Sequence, residues 1–491
     1  MDCVSCSQSQ WKRYASKVKM EPVLFLQNFA SSIIWVASQD LLLEKACKVN
    51  LDLQPERCNE LSQHDADEKR VQDLVSEFLM YRSIFERSIS VIFTLILGSL
   101  SDRIGRQLPL LIALTGLLGE ATLFLVNSLC SSWPMETNLL SSASYACSGG
   151  YVVLLMLAFA LIADESTGRE RTIRFGILDA CYNLGSPCGS LAVGPILDWG
   201  GYTAAFSTAI IIYLANMIYV LLRIKNKKIG TEESSPEKCS AILDLGSSIR
   251  TMLRRRSGYA TQLLLLLVLA MMLDSFPVWG ESNVKYLFVK RALDWTHTQY
   301  GNWSSYGSYL SVAGVVVLVP LLKGIIGLRD GALGIIGAVS RTSANLCYGF
   351  VTSTTKEWLM WTGSTLGCAR HLAPVSIRAM LARLAGPNDV GKAYAVMALG
   401  ENIVPFMSAP AYNAVYQSTI DTMPSTYNFL SVGFNTSMGI CILIVTLFID
   451  KAVTANEAAN EGQGSLITAE EDIHSQGNND LDSSPSQSTD E

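Results

Sequence analysis

The sequence predicts an all-helical membrane protein with twelve spans in two six-helix halves. Its 491 residues are 49% hydrophobic and only 16% charged. The apolar residues collect in runs of about 20, the length that a helix needs to cross the hydrocarbon core of a bilayer. A soluble fold has no room to bury so many long apolar helices. One polar, basic gap in the middle of the chain separates six runs from six.

The predicted spans come in chain order. In the first half they are 22–43, 79–100, 108–128, 141–163, 175–197 and 202–222. In the second half they are 259–280, 304–323, 332–351, 358–379, 393–416 and 428–449. The predicted units are therefore a tail at 1–21, a first half at 22–223, a linker at 224–258, a second half at 259–450 and a tail at 451–491. The last tail is acidic and lacks aromatic residues, which predicts disorder.

Lysine and arginine set the predicted orientation, because they are enriched in loops that stay in the cytoplasm. The N-terminal tail carries Lys12, Arg13 and Lys17, and the linker contains the run RRR at 254–256. Both termini and the linker are therefore predicted to be cytoplasmic. No basic patch with interleaved aromatic residues is present, so the sequence gives no support to nucleic-acid binding.

The loop between the second and third predicted spans reads GSLSDRIGRQ. This order resembles the signature loop of the major facilitator superfamily, G-x-L-(A/S)-D-R-x-G-R-(K/R), from which Gln107 is the one departure. The resemblance implies a transporter whose two halves rock against each other and meet at a cytoplasmic gate. The residues that match the gate motif are Gly98, Asp102, Arg103, Gly105 and Arg106.

Three further stretches narrow the resemblance. They are EPVLFLQNF at 21–29, ADESTGRERTIR at 163–174 and APVSIRA at 373–379. Together they are similar to solute carrier family 46, which includes the proton-coupled folate transporter. That transporter has an arginine and an aspartate in its fourth span, where this chain has Ser142 and Gly150. Its external disulfide joins the first loop to the loop after the seventh span, and residues 282–303 contain no cysteine here. Folate as the substrate therefore does not follow from the resemblance.

Two acidic residues inside predicted spans are candidates for proton coupling. An ionisable group at the bilayer centre costs about 2.5–3.5 kcal/mol, so it should face a cavity or a partner. Asp179 aligns with a glutamate that the family links to proton coupling, and desolvation favours the neutral form of such a carboxyl group. Glu401 is the second candidate, and it is the expected partner either of the cytoplasmic gate motif or of Arg106 in particular. The alternative for Asp179 is a structural hydrogen bond to a neighbouring helix.

Four charged residues are candidates for substrate binding. Arg378 matches the arginine of the family's tenth span, and Arg370 lies eight residues earlier, where helical spacing predicts a similar face. Guanidinium groups suit an anionic substrate, although Arg378 could equally snorkel to the interface. Arg82 and Glu86 are spaced to pair along one helix. They are substrate determinants if they face the cavity, and merely external if their helix starts late.

Two features concern the outer loops. Cys47 and Cys58 fall in one predicted external loop and could form a disulfide. Asn302 begins a glycosylation acceptor, Asn-Trp-Ser, on the predicted outer side.

The function predicted from these residues is a proton-coupled importer of a bulky organic anion, either folate-like, a muropeptide or a cyclic dinucleotide. No Walker loop, metal cluster or nucleophile constellation is visible in the sequence. We therefore expect neither an enzyme nor a cofactor, and a proton gradient is the expected driving force. The expected partners are the anion, protons and the lipid of the plasma membrane or the endolysosomal membrane. The alternative is a receptor or adaptor that keeps the fold without transporting.

Overall fold

The computed structural model describes residues 19–59, 61, 64–165, 168–224, 250, 259–386 and 389–481. All of the regular secondary structure in these ranges is helical. The predicted N-terminal tail and the predicted linker lie almost entirely outside the described residues. In the described residues, each predicted half is a succession of helices and short connections.

The described residues of the first half form seven α-helices. They are α1 (Glu21–Lys45), α2 (Pro55–Asn59), α3 (Asp65–Ile104), α4 (Gln107–Leu129), α5 (Leu139–Cys147), α6 (Gly150–Glu165) and α7 (Gly168–Arg223). A π-helical turn, Ala46–Asn50, follows α1, and a 3-10 turn, Met135–Asn138, precedes α5.

The second half contains another seven. They are α8 (Ala260–Leu293), α9 (His297–Val319), α10 (Asp330–Gly349), α11 (Trp358–Leu366), α12 (Leu372–Ala385), α13 (Val390–Thr419) and α14 (Tyr427–Leu481). A π-helical segment, Pro320–Ile325, extends α9, and a 3-10 turn, Gly367–Ala369, follows α11.

Six helical stretches of the described chain are long and apolar enough to cross a membrane. They are Gln107–Leu129, Met135–Ile162, Ile177–Arg223, Ala260–Leu293, His297–Ile325 and Pro424–Thr454. The remaining predicted spans are also helical, but they carry more polar and charged residues. Some of those residues, such as Arg82 and Glu86, line the space between the two halves.

The second predicted span is much longer than its apolar part. Helix α3 has 40 residues, a length of about 60 Å at 1.5 Å per residue. Its extra turns begin with Asp65, Asp67 and Glu68, which are favourable at a helix N-terminus. Val71, Val75 and Phe78 then bury one face of the extension. We call this end of the bundle the outer end, and the end that holds the GSLSDRIGRQ loop the motif end.

Four predicted spans are interrupted or joined in ways that the sequence pattern did not specify. The fourth span is split between α5 and α6, and the tenth between α11 and α12. The fifth and sixth are joined in α7 across a kink at Gly200 and Gly201, where Gly201 has a φ of 62°. Only a residue without a Cβ atom adopts such a backbone easily.

The acidic C-terminal tail continues the last helix of the bundle. Helix α14 ends at Leu481, within the segment that composition predicts to be disordered. Alanine, glutamate and glutamine recur in this segment and favour a helix, but the segment has too few apolar residues to form a core of its own. The disorder of the tail stays a prediction.

The described residues form three clusters of buried apolar side chains, of which two are large. The larger runs through the first half and crosses into the second half at the outer end, through residues such as Tyr286, Phe288 and Tyr427. The second cluster lies within the second half alone, around Leu264, Ile377 and Met397. The two halves thus share a core at the outer end and have separate cores toward the motif end.

Candidate functional site

A cavity of about 420 Å³ lies between the two halves. The first half contributes polar and aromatic side chains such as Asn28 and Trp35, and the second half contributes Trp279, Asn283 and Tyr300. A concave site with an aromatic wall and a few polar groups is typical of a small-molecule site. The charged residues in its lining are Arg82, Glu86, Arg87 and Glu120.

Arg82 lies between two carboxylates in the cavity wall. Its Nε atom donates to Glu86 Oε1 at 2.7 Å, and its Nη2 atom lies 3.5 Å from Glu120 Oε1. The guanidinium also lies over the ring of Phe124, 5.2 Å from its centroid. The predicted pairing of Arg82 with Glu86 is confirmed, and both residues line the cavity instead of lying outside the bundle. Their role in binding substrate stays a prediction.

Arg87 lies one residue further along α3 and has a different environment. Its guanidinium carbon lies 4.1 Å from the ring centroid of Trp279 in the second half and 5.9 Å from that of Tyr151 in the first half. Within the described part of the chain, no carboxylate lies within 4.0 Å of it. Arg87 therefore carries a cation into the cavity between aromatic rings from both halves.

The outer end is closed by polar contacts between α3 and the second half. Ser76 Oγ donates to Asn413 Oδ1 at 2.6 Å, and the Tyr416 hydroxyl donates to Gln72 Oε1 at 2.6 Å. Lys69 forms an ion pair with Asp421. These contacts occur on successive turns of α3, which faces α13 and the residues immediately after it.

Glu68 and Arg291 add a buried ion pair to this closure, with 2.9 Å between Glu68 Oε2 and Arg291 Nη1. Their side chains are 6% and 11% exposed. Burial raises the pKa of Glu68 to about 7, against the opposing effect of the Arg291 guanidinium. The neighbouring carboxylates Asp65 and Asp294 act in the same direction as burial.

Asp40, near the outer end of α1, is a second junction between the halves. Its carboxylate accepts from the Tyr286 hydroxyl at 3.0 Å and from Lys290 Nζ at 3.3 Å, both in the second half. The Tyr202 hydroxyl of α7 donates to it at 3.1 Å. His297 Nδ1 lies 3.9 Å away.

The motif end lacks comparable links between the described residues of the two halves. Arg106 donates to Ser101 within the first half, and Gly105 has a φ of 96°, which permits the tight turn. Gly98 lies beside Met156, and a Cβ atom there would make ordinary van der Waals contact with it. The side chains of Asp102 and Arg103 lie outside the described residues, and the gate role of the motif stays a prediction.

Glu401 does not pair with Arg106 as the sequence suggested. Its carboxylate lies 3.4 Å from Arg378 Nη2, so that the ion pair lies within the second half. The sequence had no means of aligning α12 with α13, which decides this pairing. Asp179 is exposed on α7 across the gap, and the charge of Arg378 acts on its carboxyl group. The structure thus brings Asp179, Arg378 and Glu401 to one region.

Arg370 does not share a face with Arg378, because the helix between them is interrupted. The 3-10 turn at Gly367–Ala369 ends immediately before Arg370, and α12 begins at Leu372. Arg370 Nη2 donates to the Gly307 carbonyl at 3.2 Å and to Ser311 Oγ at 3.1 Å, both in α9. It is therefore directed toward α9 and is not among the residues that line the cavity. The expectation of a shared face is wrong.

Other buried charges of the second half have partners. Arg341 Nη1 lies 2.8 Å from Asp274 Oδ1. Glu281 accepts from Ser431 at 2.7 Å and from Asn345 at 2.8 Å, and it pairs with Lys285 at 2.8 Å. These groups satisfy the requirement that charges in an apolar interior be paired or hydrogen-bonded.

The two predicted features of the outer loops have different outcomes. Cys47 and Cys58 form a disulfide, with 5.9 Å between their Cα atoms. Asn302 is exposed near the beginning of α9, and its glycosylation stays a prediction.

The sequence indicated Arg87 as a possible cavity charge beside Arg82 and Glu86, but it did not rank Glu120 and gave no indication of the Glu68–Arg291 pair. Glu120 is a lone acid within an otherwise apolar span, and that isolation was the available signal. The other contacts depend on how α3 lies against α8 and α13, which no local pattern encodes.

A helical bundle of two halves around a polar, partly charged cavity defines a membrane transporter of the major facilitator type. The chain belongs to the Major Facilitator Superfamily, whose sequence pattern matches residues 83–409. It resembles members of solute carrier family 46, and these relatives are transporters, not enzymes.

Three curated relatives span most of both chains. The "Probable peptidoglycan muropeptide transporter SLC46" of Drosophila melanogaster is 23% identical over 86% of this chain and 83% of its own length. The "Lysosomal proton-coupled steroid conjugate and bile acid symporter SLC46A3" of Gallus gallus is 24% identical over 82% and 88%. The "Proton-coupled folate transporter" of Rattus norvegicus is 24% identical over 87% and 90%.

Solved structures share the fold. The peptide transporter POT in complex with alafosfalin superposes with a TM-score of 0.61 at 12% identity, over 88% of this chain and 94% of that one. The nucleoside transporter NupG gives a TM-score of 0.59 at 12% identity, over 87% and 99%. At such low identity the likeness concerns the fold alone.

Proposed function

We propose that the protein is a secondary transporter that imports a bulky organic anion together with protons. The observation that carries the proposal is the charged, aromatic cavity between two halves that share a core only at the outer end. A cavity in that position can open to either side of a membrane if the halves rock, which is the alternating-access mechanism. The proton-coupled relatives support the choice of driving ion.

The proposed topology has twelve spans, with both termini and the motif end in the cytoplasm. The arrangement of helices follows the predicted spans in order, and the lysine and arginine distribution supports this orientation. The closed outer end then faces the exterior or an organelle lumen. Plasma membrane and endolysosomal membrane are both compatible with import from an acidic compartment.

Asp179, Arg378 and Glu401 are the proposed coupling group near the motif end. Arg378 and Glu401 are partly exposed, with 48% and 26% of their side-chain surface accessible. Asp179 belongs to the other half, so the distance between Asp179 and Arg378 changes when the halves rock. A proton on Asp179 would weaken its attraction to Arg378 and so couple protonation to that motion.

A receptor or adaptor without transport activity is the second candidate. It is favoured by the absence of the folate transporter's fourth-span charges, since Ser142 and Gly150 occupy those regions. Such a protein would bind a ligand in the same cavity without moving it. Binding without accumulation distinguishes this function from transport.

Uptake at the cell surface tests the proposal. We would measure uptake of labelled folate, muropeptide, steroid conjugate and cyclic dinucleotide at acidic and neutral external pH. Wild type would be compared with Asp179→Asn and Arg378→Ala, with Arg383→Ala as the matched control. Arg383 is 52% exposed and pairs with Asp450, away from Asp179.

We expect one ligand to accumulate faster at acidic pH, and this stimulation to be lost in the first two variants but kept in the control. Uptake that does not depend on pH and persists in Asp179→Asn would contradict the assignment of Asp179 to proton coupling. Binding of a ligand without uptake, at normal surface levels, would favour the receptor.

A further inference from the structure

All four charged residues that line the cavity come from the first half. Arg82, Glu86 and Arg87 belong to α3, and Glu120 belongs to α4. The second half contributes uncharged groups such as Trp279, Asn283 and Tyr300. With every group ionised, two positive and two negative charges cancel. The net charge of the cavity is then set by any proton that binds to a carboxylate.

Two of these carboxylates share one arginine. Arg82 is only 5% exposed and Glu120 only 8%. Glu86 makes the short contact with Arg82 and Glu120 the longer one, at 2.7 Å and 3.5 Å. One buried cation neutralises one carboxylate, so a second ionised carboxylate leaves excess negative charge in an apolar surrounding. One proton on either carboxylate removes this excess charge.

The groups around Glu120 add no second cation. From α3 it faces Arg82 and Glu86, whose charges act on it. From α5 it faces Tyr145, and from α7 it faces Tyr213, whose hydroxyl lies 3.0 Å from Ser31 of α1. These tyrosines and the serine are neutral. Arg82 is thus the cation that acts on Glu120 within the described residues.

Arg82 also retains an unused donor. Its Nη1 atom is buried and has no hydrogen-bond partner among the described residues. A buried guanidinium donor without an acceptor costs free energy. The donor belongs to a residue that lines the cavity.

Arg87 supplies the anion-binding part of the proposed site. It lies between the rings of Trp279 and Tyr151 and has no carboxylate within 4.0 Å in the described part of the chain. A guanidinium that is not paired with a carboxylate binds carboxylate, sulfate or phosphate strongly. The Trp279 ring beside it offers a flat apolar surface to the body of the same ligand.

We propose that Glu120, with Glu86 and Arg82, is a proton-binding site that sets the affinity of Arg87 for an anion. A proton from the outer solution binds to the Glu120 carboxylate, and the net charge of the four residues rises from zero to one positive. An anion with a flat or apolar body then neutralises this charge by binding at Arg87. Loss of the proton returns the charge to zero and releases the anion. The assignment of the anion rests on the proposed function, whereas the proton site does not.

Infrared difference spectroscopy of the purified full-length protein tests the proton site with protons as the only ligand. Spectra recorded in acidic and alkaline buffer report the carbonyl band of protonated carboxyl groups. We expect one component of this band to be lost in Glu120→Gln and to persist in Asp179→Asn. Glutamine is the neutral isostere of a protonated glutamate, so Glu120→Gln is expected to fold, which size-exclusion chromatography checks.

The result that overturns the proton site is an unchanged band in Glu120→Gln. This measurement involves no substrate, so it stands even if no compound of the uptake panel is transported. Failure of the proposed function and failure of the proton site are therefore distinguishable.

The coupling to Arg87 is tested with whichever panel compound is transported. Glu120→Gln fixes the cavity in its positive state, so exchange of the labelled compound should persist while its pH dependence is lost. Arg87→Gln should reduce uptake at every pH and leave the infrared band intact, with Arg87→Lys giving partial rescue. Wild-type pH dependence in Glu120→Gln, or wild-type uptake in Arg87→Gln, would overturn the proposal.

Discussion

The outer end and the motif end of the bundle differ in how the two halves meet. At the outer end the halves share an apolar core, and ion pairs such as Glu68–Arg291 cross between them. At the motif end, the ion pairs between described residues stay within one half, as Arg174–Glu165 does in the first half and Arg378–Glu401 and Arg383–Asp450 do in the second. The outer end is thus the place where the halves are joined.

The ion pairs at the two ends differ in burial, and this difference sets the energetic cost of breaking them. The Glu68–Arg291 side chains are nearly inaccessible, whereas Arg383 and Asp450 are 52% and 48% exposed. An exposed pair contributes about 0–1 kcal/mol. Removal of one partner from a buried pair costs about 3–5 kcal/mol, because the other charge stays buried. The junction at the outer end is therefore sensitive to the loss of a single group.

Arg291→Gln should produce the largest effect on stability. We expect it to cost about 3 kcal/mol, the lower end of the range for a broken buried pair, because Glu68 can take up a proton when its partner is lost. The measurement is the thermal unfolding midpoint in detergent. Arg383→Gln is the motif-end counterpart and should cost at most about 1 kcal/mol. Equal decreases of the unfolding midpoint in Arg291→Gln and Arg383→Gln would contradict the difference between the outer end and the motif end.

Gly301→Ala should have the next largest effect. Gly301 of α9 packs against α7, and a Cβ atom there would lie 2.3 Å from the Ser190 carbonyl oxygen of the other half. The backbone must shift to admit it, at a cost of about 1–3 kcal/mol. Gly433→Ala is the control, since a Cβ atom there meets nothing within 4 Å. Ser282 lines the cavity. Because the substitution pushes the two halves apart, an impermeant reagent should label a cysteine introduced at Ser282 faster in Gly301→Ala, and at the unchanged rate in the control.

The smallest predicted effect is a pH dependence at Glu68. Burial raises its pKa from 4.5 to about 7, so the folded state binds a proton more tightly than the unfolded state. The resulting stability is fully present below about pH 4.5 and is lost as the pH rises through about 7. Glu68→Gln, which mimics the protonated form, should lack this decline.

The test compares unfolding midpoints of wild type and Glu68→Gln across that pH range. The unfolding midpoint of Glu68→Gln should increase relative to that of wild type as the pH rises. Asp65→Asn is the matched control, because it removes a carboxylate that is 92% exposed and lies 3.8 Å from the same arginine. A constant difference between wild type and Glu68→Gln at every pH would show that Glu68 does not titrate there.

Much of the fold could be predicted because hydrophobic run length is a local property. Helices lie at each of the twelve predicted spans in the structure. The pairing of Arg82 with Glu86 was predictable for the same reason, since the two residues lie one turn apart on a single helix. The Cys47–Cys58 disulfide also joins residues that are close in sequence.

The incorrect expectations involve relations between helices or local breaks within them. Arg370 and Arg378 seemed to share a face because a continuous helix was assumed, and the turn at Gly367–Ala369 removes that periodicity. Glu401 was matched with Arg106 because both are charged, whereas the packing of α12 on α13 gives it Arg378.

By itself, the sequence determined that this is a helical membrane transporter of two halves, because apolar run length, charge asymmetry and one loop motif are all read along the chain. The tertiary structure alone decided which charges meet. Glu120 is about forty residues from Arg82 in the sequence, and Glu68 is 223 residues from Arg291. Such pairs form only when several helices pack together, and their electrostatics depend on the burial that packing creates.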